Sequence, residues 1–330
     1  MEINFSKTKF MVINGSSCDR KEIIIQGNTI QHCIKYVYLG AVIHEEATFA
    51  QFMKEHTDEK YKNLLKLYAF LGKNSDLPFK MKRKVLEACL ISTVLYSSES
   101  WFSDRLGKLN PLYMSAIKAV LGIRKTTPNL VTLIEGGFHS LSAIVKERQF
   151  NFYRKLVTGR SHLEDDPFML MLTVARQNKT AAASYIDKIL SFNETSFILS
   201  DMNLTAEQCL LETGSKFVTY KSINPLMSKR EIYTSCHIPE YQRISFTRFR
   251  TGSHFLRVET GKWSRLPRES RTCDCTGVDI QDEEHIIMTC SHLNDLRTGY
   301  PSLIFEADHF FNNNTEDSAK FIHEALNTIC

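Results

Sequence analysis

The sequence predicts a mainly α-helical, α+β protein with a small N-terminal β-hairpin. Apolar residues recur at helical spacing through most of residues 47–158, whereas β-branched and aromatic residues concentrate before residue 46. Pro and Gly, which interrupt helices, occur only 8 and 14 times in 330 residues. At ~100–200 residues per domain, this length is sufficient for two or three hydrophobic cores.

The N-terminal segment carries the hairpin signal. Residues 8–14 and 21–26 favour strands, Gly27-Asn28 interrupts them, and residues 29–43 resume with β-branched and aromatic side chains. An isolated hairpin is at best marginally stable in water, so we expect it to pack against another element.

Four helices are predicted next. Gly72 ends the first, Pro78 lies at the start of the second, Gly122 caps the third and Ser140 caps the fourth. Their predicted ranges are 47–72, 76–94, 105–121 and 141–158. Together they predict a compact helical bundle.

Near residue 160 the pattern changes to loop-forming residues, which predicts a boundary. We therefore divide the chain into an N-terminal hairpin, a helical bundle, a helical linker, a basic and aromatic segment with a metal motif, and an acidic C-terminal helix or tail. These five segments span residues 1–46, 47–160, 161–240, 241–300 and 301–330.

The sequence also excludes several classes of protein. It has neither the ~18–20 apolar residues of a membrane span nor a signal peptide, so we expect a nuclear or cytoplasmic protein that is not secreted. Its 9 cysteines, an odd number, predict reduced thiols. We find no phosphate-binding loop, nucleophile elbow or acidic pair for two-metal chemistry, so no catalytic residue is predicted.

Charge is distributed unevenly along the chain. The formal net charge is +4, yet residues 51–160 carry +10, residues 216–271 carry +8 and residues 274–330 carry −9. Two basic blocks favour contact with a polyanion such as RNA or DNA, although a solvated helix face is the ordinary explanation of a charge run.

The candidate nucleic-acid contacts lie in three basic clusters. One is at the start of the second helix, one is in the corner after the third helix, and one alternates with aromatic residues. They comprise Lys80, Lys82, Arg83 and Lys84; Arg124 and Lys125; and Arg248, Arg250 and Arg257. Arginines between aromatics can bind phosphates and stack on bases. The alternative places Phe246, Phe249 and Phe255 in a core, with the arginines extending outward.

A metal motif is contained in eighteen residues. Cys273, Cys275, His285 and Cys290 offer three thiolates and an imidazole, the donors that a structural Zn²⁺ ion prefers. The spacing departs from the usual pattern, and His292 is a second candidate for the histidine ligand. The alternative is that the cysteines are small buried residues. Four protein ligands leave no open position for catalysis, so we expect a structural role.

Several motifs in order resemble the C-terminal half of a non-LTR (LINE-type, jockey-like) retrotransposon reverse transcriptase. They are INFSKTKFMVIN, YVYLGAVI, LEACLISTVLYSSESW, IKAVLGIRKTTPN, FTRFRTGSHFLRVETGKW and the CDC…H…C knuckle. The resemblance covers nearly the whole chain. It is most specific in the knuckle and the segment before it, and least specific over residues 160–240.

The resemblance implies roles for the N-terminal residues. The strand with Lys7 and Lys9 is similar to the last palm element, where a lysine lies near the incoming nucleotide. Tyr38, Leu39 and Gly40 resemble the primer-grip hairpin. The helices over 47–158 would form the thumb and linker that hold the template-primer duplex, and the knuckle would help to engage RNA or target DNA.

The family's catalytic aspartates lie before the INFSKTK segment, which here begins almost at Met1. We therefore expect a reverse transcriptase fragment that binds nucleic acid but does not polymerise DNA by itself, since Mg²⁺ would bind only in a full-length parent enzyme. Two alternatives stay open: the chain is part of an active enzyme encoded by a longer reading frame, or it is a helical protein-interaction scaffold.

Overall fold

The computed structural model describes most of the chain. The described residues are 4–5, 7–38, 41–46, 49–101, 106–160, 166–192, 196–227, 237–311 and 314–329. The chain divides into two compact units, each built from separate stretches of sequence. The first unit comprises Met1–Lys66, Cys89–Leu112 and Val145–Asn193, and the second comprises Leu67–Ala88, Tyr113–Ile144 and Glu194–Cys330.

The predicted fold class is confirmed: the protein is mainly helical and has a small N-terminal β-structure. The strands are β1 (Lys9–Phe10), β2 (Ile23–Ile25), β3 (Asn28–His32), β4 (Lys35–Tyr38) and β5 (Ala41–His44). They form a three-stranded sheet in the order β1-β3-β2 and a separate β4-β5 hairpin. Ile30 and Val42 are buried, so each sheet has a covered side.

The predicted hairpin is the β2-β3 pair, but its turn lies one residue earlier than expected. Ile25 pairs with Asn28, which leaves Gln26 and Gly27 as the two turn residues. Both have positive φ angles, 49° and 74°. Two-residue hairpins favour such turns because their backbone twist matches that of the strands, and Gly27 adopts this conformation without a steric penalty.

The helices predicted in the first half are present, except that the second α-helix ends at Cys89 and the last residues predicted for it, Leu90–Val94, form a π-helical turn. They are α1 (Phe49–Lys73), α2 (Phe79–Cys89), α3 (Leu109–Leu121), α4 (Asn129–Gly136) and α5 (Leu141–Arg160). Helix α4 was not predicted; its apolar residues follow Pro128 directly, between the basic corner and the next predicted helix. Gly122 ends α3 with a φ of 72°, and the Ser140 hydroxyl accepts a hydrogen bond from the Ala143 amide at 3.1 Å.

The remaining helices are shorter. They are α6 (Pro167–Gln177), α7 (Ala181–Leu190), α8 (Phe197–Leu211), α9 (Ser215–Ile223), α10 (Glu240–Arg250), α11 (Arg257–Trp263), α12 (Glu283–Met288), α13 (Asn294–Thr298), α14 (Ala307–Phe310) and α15 (Thr315–Ile329). None of the helices in the described part of the chain is long and apolar enough to cross a bilayer.

The core of the first unit surrounds Trp101, which is fully buried. The carbonyl of Trp101 accepts hydrogen bonds from Gln149 Nε2 at 2.6 Å and from the Tyr153 hydroxyl at 3.0 Å. The His56 ring packs edge-on against the indole, with the ring centroids 4.7 Å apart. Helices α1 and α5 are thereby joined through one aromatic residue and its backbone.

The core of the second unit includes the packing of α10 against α15. Phe246 and Phe249 of α10 are fully buried and both contact Phe311, with centroid separations of 5.9 and 6.2 Å. The expectation that these two phenylalanines lie in a core is confirmed, whereas Phe255 is 55% exposed.

Candidate metal centre and cationic cleft

A tight turn brings Cys273 and Cys275 to one side of the metal motif. The Cys273 amide donates to the Asp279 carbonyl at 2.7 Å, and the Gly277 amide donates to the Cys273 carbonyl at 2.8 Å. Gly277 has a φ of 70°, a conformation that glycine adopts without the penalty of a side chain. The short Cys-x-Cys spacing is therefore accommodated by a glycine turn directly after it.

Helix α12 and the residues directly after it supply the other two potential ligands, His285 and Cys290. Asp282 caps this helix by accepting a hydrogen bond from the His285 amide at 3.1 Å. The Cys290 amide donates to the His285 carbonyl at 2.8 Å just past the helix end, which keeps the two residues on the same side. The five positions from His285 to Cys290 thus cover the end of this short helix and the two residues that follow it.

The four side chains converge into a cluster that could hold a metal ion, with all ligand atoms within 4.8 Å of one another. Cys273 and Cys290 Sγ atoms are 3.8 Å apart, and Cys275 Sγ lies 3.1 Å from His285 Nε2. Cys273, His285 and Cys290 are buried and Cys275 is half-buried. His292 is exposed and does not belong to the cluster.

Surrounding groups orient the potential ligands. Thr289 Oγ1 lies 3.0 Å from His285 Nδ1, which leaves Nε2 directed at the thiols. Arg297 donates to the Cys290 carbonyl at 2.8 Å. Burial raises the pKa of the Cys290 thiol to about 12, so this thiolate would need a cation beside it to form near neutral pH.

Lys82 is not a surface residue, so its assignment as a nucleic-acid contact is corrected. It is fully buried, and its Nζ lies 2.5 Å from Glu240 Oε1 and 3.1 Å from the Ser75 carbonyl. Arg243 donates to both oxygens of the same carboxylate. The positive charge of Lys82 is therefore balanced by Glu240 of α10 and is not available to a phosphate.

Arg250 is corrected for the same reason. It is fully buried and donates through Nε to Glu135 Oε1 at 2.7 Å and through Nη2 to Glu135 Oε2 at 3.2 Å. The Tyr220 hydroxyl donates to the same carboxylate at 2.8 Å. This buried ion pair joins α4 to α10, and the arginine does not extend outward as the sequence suggested.

Arg83 and Arg257 both donate hydrogen bonds to backbone carbonyls of neighbouring segments. Arg83 donates to the Gly136 and Gly137 carbonyls at 3.0 and 3.2 Å, at the end of α4. Arg257 is exposed, yet it donates to the Thr272 carbonyl and to Asp274 Oδ2. Both side chains primarily secure neighbouring segments.

Four of the lysines predicted to contact nucleic acid are exposed. Lys80 and Lys84 are exposed on α2 in the second unit. Lys7 and Lys9 are exposed in the first unit, where Lys9 belongs to β1. Tyr38 ends β4, but its side chain lies outside the described part of the structure, and Leu39 and Gly40 lie outside the described residues.

Arg124, Lys125 and Arg248 line one cleft in the second unit. The cleft has a volume of about 290 Å³, and its described lining contains no carboxylate. Its other lining residues are Tyr68, Ser115, Lys118, Ala119, Ile123, Ser253 and Phe255. We call this feature the cationic cleft. The structure therefore brings the basic corner after α3 together with the basic and aromatic segment, which lies more than a hundred residues away.

The cations of the cleft bond to backbone carbonyls. Lys118 donates to the Lys125 carbonyl at 2.9 Å, and Arg248 Nε donates to the Gly122 carbonyl at 2.7 Å. Burial lowers the pKa of Arg248, and the nearby Arg124 guanidinium lowers it further. The positive charges thus lie close enough to repel one another.

Arg124 is fixed by two aromatic rings. Its guanidinium carbon lies 4.3 Å from the Phe255 ring centroid and 4.4 Å from that of Trp263. The two rings meet edge to face with centroids 6.2 Å apart. Arg124 Nη2 is buried and has no hydrogen-bond partner among the described residues. Such a donor is costly unless a ligand or water satisfies it.

Lys118, Tyr68 and Trp263 were not among the residues predicted to contribute to a binding site. Lys118 lies in the last turn of α3, where a cation is favoured by the helix dipole, so its position gave no functional signal. Trp263 is the last residue of the FTRFRTGSHFLRVETGKW segment, and its place in this segment was the only sequence feature that pointed to a role in binding.

Comparisons of the chain with protein-family models, curated proteins and solved structures gave no match.

Proposed function

We propose that this chain binds RNA or DNA through the cationic cleft, as the nucleic-acid-binding part of a non-LTR-type reverse transcriptase. The observation that carries the proposal is the contrast between two sets of cations. Lys82 and Arg250 are neutralised by Glu240 and Glu135, whereas the cations of the cleft face a lining without carboxylates. Glu259, whose charge acts on Arg124, is not in the lining and already pairs with Lys216 and Lys262, so a polyanion would add the negative charge that the cleft lacks.

The chemistry of the cleft favours nucleic acid over an acidic protein. Guanidinium and ammonium groups bind phosphates, and aromatic rings beside them add contacts to bases. Phe255 and Trp263 are 55% and 60% exposed, so they offer ring surface next to the cations. An acidic peptide would use the positive charges but would gain less from the aromatic faces.

We further propose that the cysteine and histidine cluster binds Zn²⁺ in a structural role. Three thiols and one imidazole form the donor set that zinc prefers over harder metals. Two thiolates of a tetrahedral zinc site, each ~2.3 Å from the metal, lie ~3.8 Å apart. This agrees with the Cys273–Cys290 separation of 3.8 Å.

The zinc-binding segment would support the cleft mechanically. Arg271 Nη1 donates to the Val258 carbonyl of α11 at 3.0 Å, and the Val258 amide donates to the Gln281 carbonyl at 3.1 Å. Helix α11 ends in Trp263, one wall of the Arg124 stack. A metal ion that fixes the cysteine turn would therefore also fix the aromatic side of the cleft.

The test is a fluorescence anisotropy titration of labelled RNA, DNA and hybrid duplexes over a range of salt concentrations. We expect the logarithm of the association constant to fall linearly with the logarithm of the salt concentration. Lys125→Gln removes an exposed cation of the cleft and should reduce this slope by about one. The loss of affinity should be similar for all sequences.

Lys188→Gln is the matched control, because Lys188 is equally exposed on α7 in the first unit. This variant should keep the slope of the unmodified protein. Binding that is absent, or that is insensitive to salt, contradicts the proposal. An equal effect of both variants would place the contact elsewhere.

A further inference from the structure

The Arg124 stack has the features of a site for a flat, anionic ligand. The two rings hold the guanidinium in place, so its position does not need to be ordered when a ligand arrives. Arg124 lines the cleft, and its buried Nη2 lacks a hydrogen-bond partner among the described residues. The site therefore combines a fixed positive charge, an unused donor and exposed aromatic surface.

The size of the cleft limits the ligand. Its volume of about 290 Å³ is near the lower end of the ~300–1,000 Å³ typical of small-ligand sites. This space suits a single phosphate with its sugar or base. In a duplex each base is covered by its neighbours on both sides, so a ring such as Trp263 has no face to stack on, whereas an unpaired base presents one.

We propose that the cationic cleft binds one unpaired nucleotide of a single strand. Its base would stack on Phe255, which lines the cleft, or on Trp263, which packs against Phe255 and Arg124, and its phosphate would be bound by Arg124, Lys118 and Lys125. This inference rests on the proposed function and specifies its substrate class. Carbonyl contacts hold Lys118 and Arg248 in place, so these charges are arranged before the strand arrives.

Lys125 provides the adjustable part of the site. It is exposed, and its Nζ lies 5.7 Å from the centroid of the Tyr68 ring. A long exposed side chain can follow the phosphate of the next nucleotide, whereas the buried Lys118 cannot. Arg124 and Lys118 thus provide fixed phosphate contacts, whereas Lys125 provides one that can move with the strand.

The experiment measures the affinity of four probes for the full chain. They are oligo(U), an abasic oligomer of equal length, a blunt duplex and free UMP. The abasic oligomer keeps the phosphates but removes the bases, so the ratio of its affinity to that of oligo(U) reports base contact. We expect oligo(U) to bind more tightly than each of the other three.

Trp263→Ala should weaken oligo(U) binding about tenfold more than it weakens binding of the abasic oligomer, since tenfold is the typical effect of losing one base–aromatic stack and any loosening of Arg124 affects both oligomers alike. Trp263→Phe should retain most of the affinity. Tyr241→Ala is the matched control, because Tyr241 is a similarly exposed aromatic at 56% whose ring contacts His323 rather than Arg124. Equal melting temperatures and metal contents would show that the variants are folded.

The outcomes distinguish this inference from the proposed function. If Trp263→Ala weakens both oligomers equally, or if duplex binds as tightly as oligo(U), the inference is wrong while salt-dependent binding still supports the proposed function. If UMP alone competes as well as oligo(U), the site takes a free nucleotide and the single-strand assignment is wrong. If no probe binds, the proposed function fails, and the inference fails with it.

Discussion

Replacement of Glu240 by glutamine should destabilise the second unit strongly. Its carboxylate is 11% exposed and accepts hydrogen bonds from Lys82 Nζ, from Arg243 and from the Phe79 amide. Lys82 and Arg243 are 1% and 2% exposed. Glu240→Gln leaves both cations without this counter-charge, and breaking a buried ion pair in this way costs about 3–5 kcal/mol.

Lys82→Met should cost less, although it removes the more buried member of the network. Glu240 would keep its two bonds from Arg243, so the remaining pair is electrically balanced. The loss is the charge-assisted hydrogen bond to Glu240, worth ~1.5–3 kcal/mol, together with the bond to the Ser75 carbonyl, and it is reduced in part by the apolar methionine that fills the space. Lys84→Gln, an exposed neighbour on α2, should change the free energy of unfolding by less than about 0.5 kcal/mol.

The assay is urea denaturation combined with hydrogen–deuterium exchange of the peptide covering 240–250. Exchange reports local opening, so it separates the second unit from the first. We expect the order of destabilisation Glu240→Gln, then Lys82→Met, then Lys84→Gln. Equal effects of the two lysine variants would refute the assignment of Lys82 to a buried structural network.

Three further predictions address the metal, a buried histidine and a helix end. The double variant Cys273→Ser/Cys290→Ser should lose about one equivalent of zinc by elemental analysis. Hydrogen–deuterium exchange should become faster in residues 257–263. Retention of the zinc would place the metal elsewhere. Burial, aided by Lys60, lowers the pKa of His56 from 6.5 to about 4. Because the folded state favours the neutral ring, the contribution of His56 to the free energy of unfolding is fully present above pH 6.5 and falls by up to about 3 kcal/mol as the pH drops toward 4. The melting temperature of His56→Phe should lack this pH dependence. A pH dependence equal to that of the unmodified protein would contradict the assignment. Gly122→Ala should cost about 1–2 kcal/mol in urea denaturation, because its φ is 72° and the new Cβ would lie 2.8 Å from Ile244; an unchanged midpoint would contradict this.

Local signals made much of the fold predictable. Gly27 marked the β2-β3 hairpin, and Gly122 and Ser140 marked the ends of neighbouring helices, because each signal depends on residues adjacent in sequence. Helix α4 was not predicted, because its 8 residues make little more than two turns, too few to reveal a helical repeat of apolar residues. The metal cluster was predictable for the same reason, since its four ligands lie within eighteen residues.

Whether each lysine or arginine is buried in an ion pair or exposed to solvent was not predictable. Lys82 and Lys84 lie two residues apart and have the same chemistry, yet one is buried and the other is exposed. The difference is made by Glu240, a residue of α10 that is distant in sequence. The stack of Arg124 between Phe255 and Trp263 likewise depends on tertiary packing, so periodicity and local charge could not reveal it.

The most direct test of nucleic-acid binding in the cationic cleft is photocrosslinking of an oligonucleotide that contains 4-thiouridine, followed by mass spectrometry of the crosslinked peptides. We predict adducts in residues 118–125 and 248–263, which weaken with added salt and disappear under competition by unlabelled oligo(U). Adducts confined to the first unit, or none above background at low salt, would contradict the central claim.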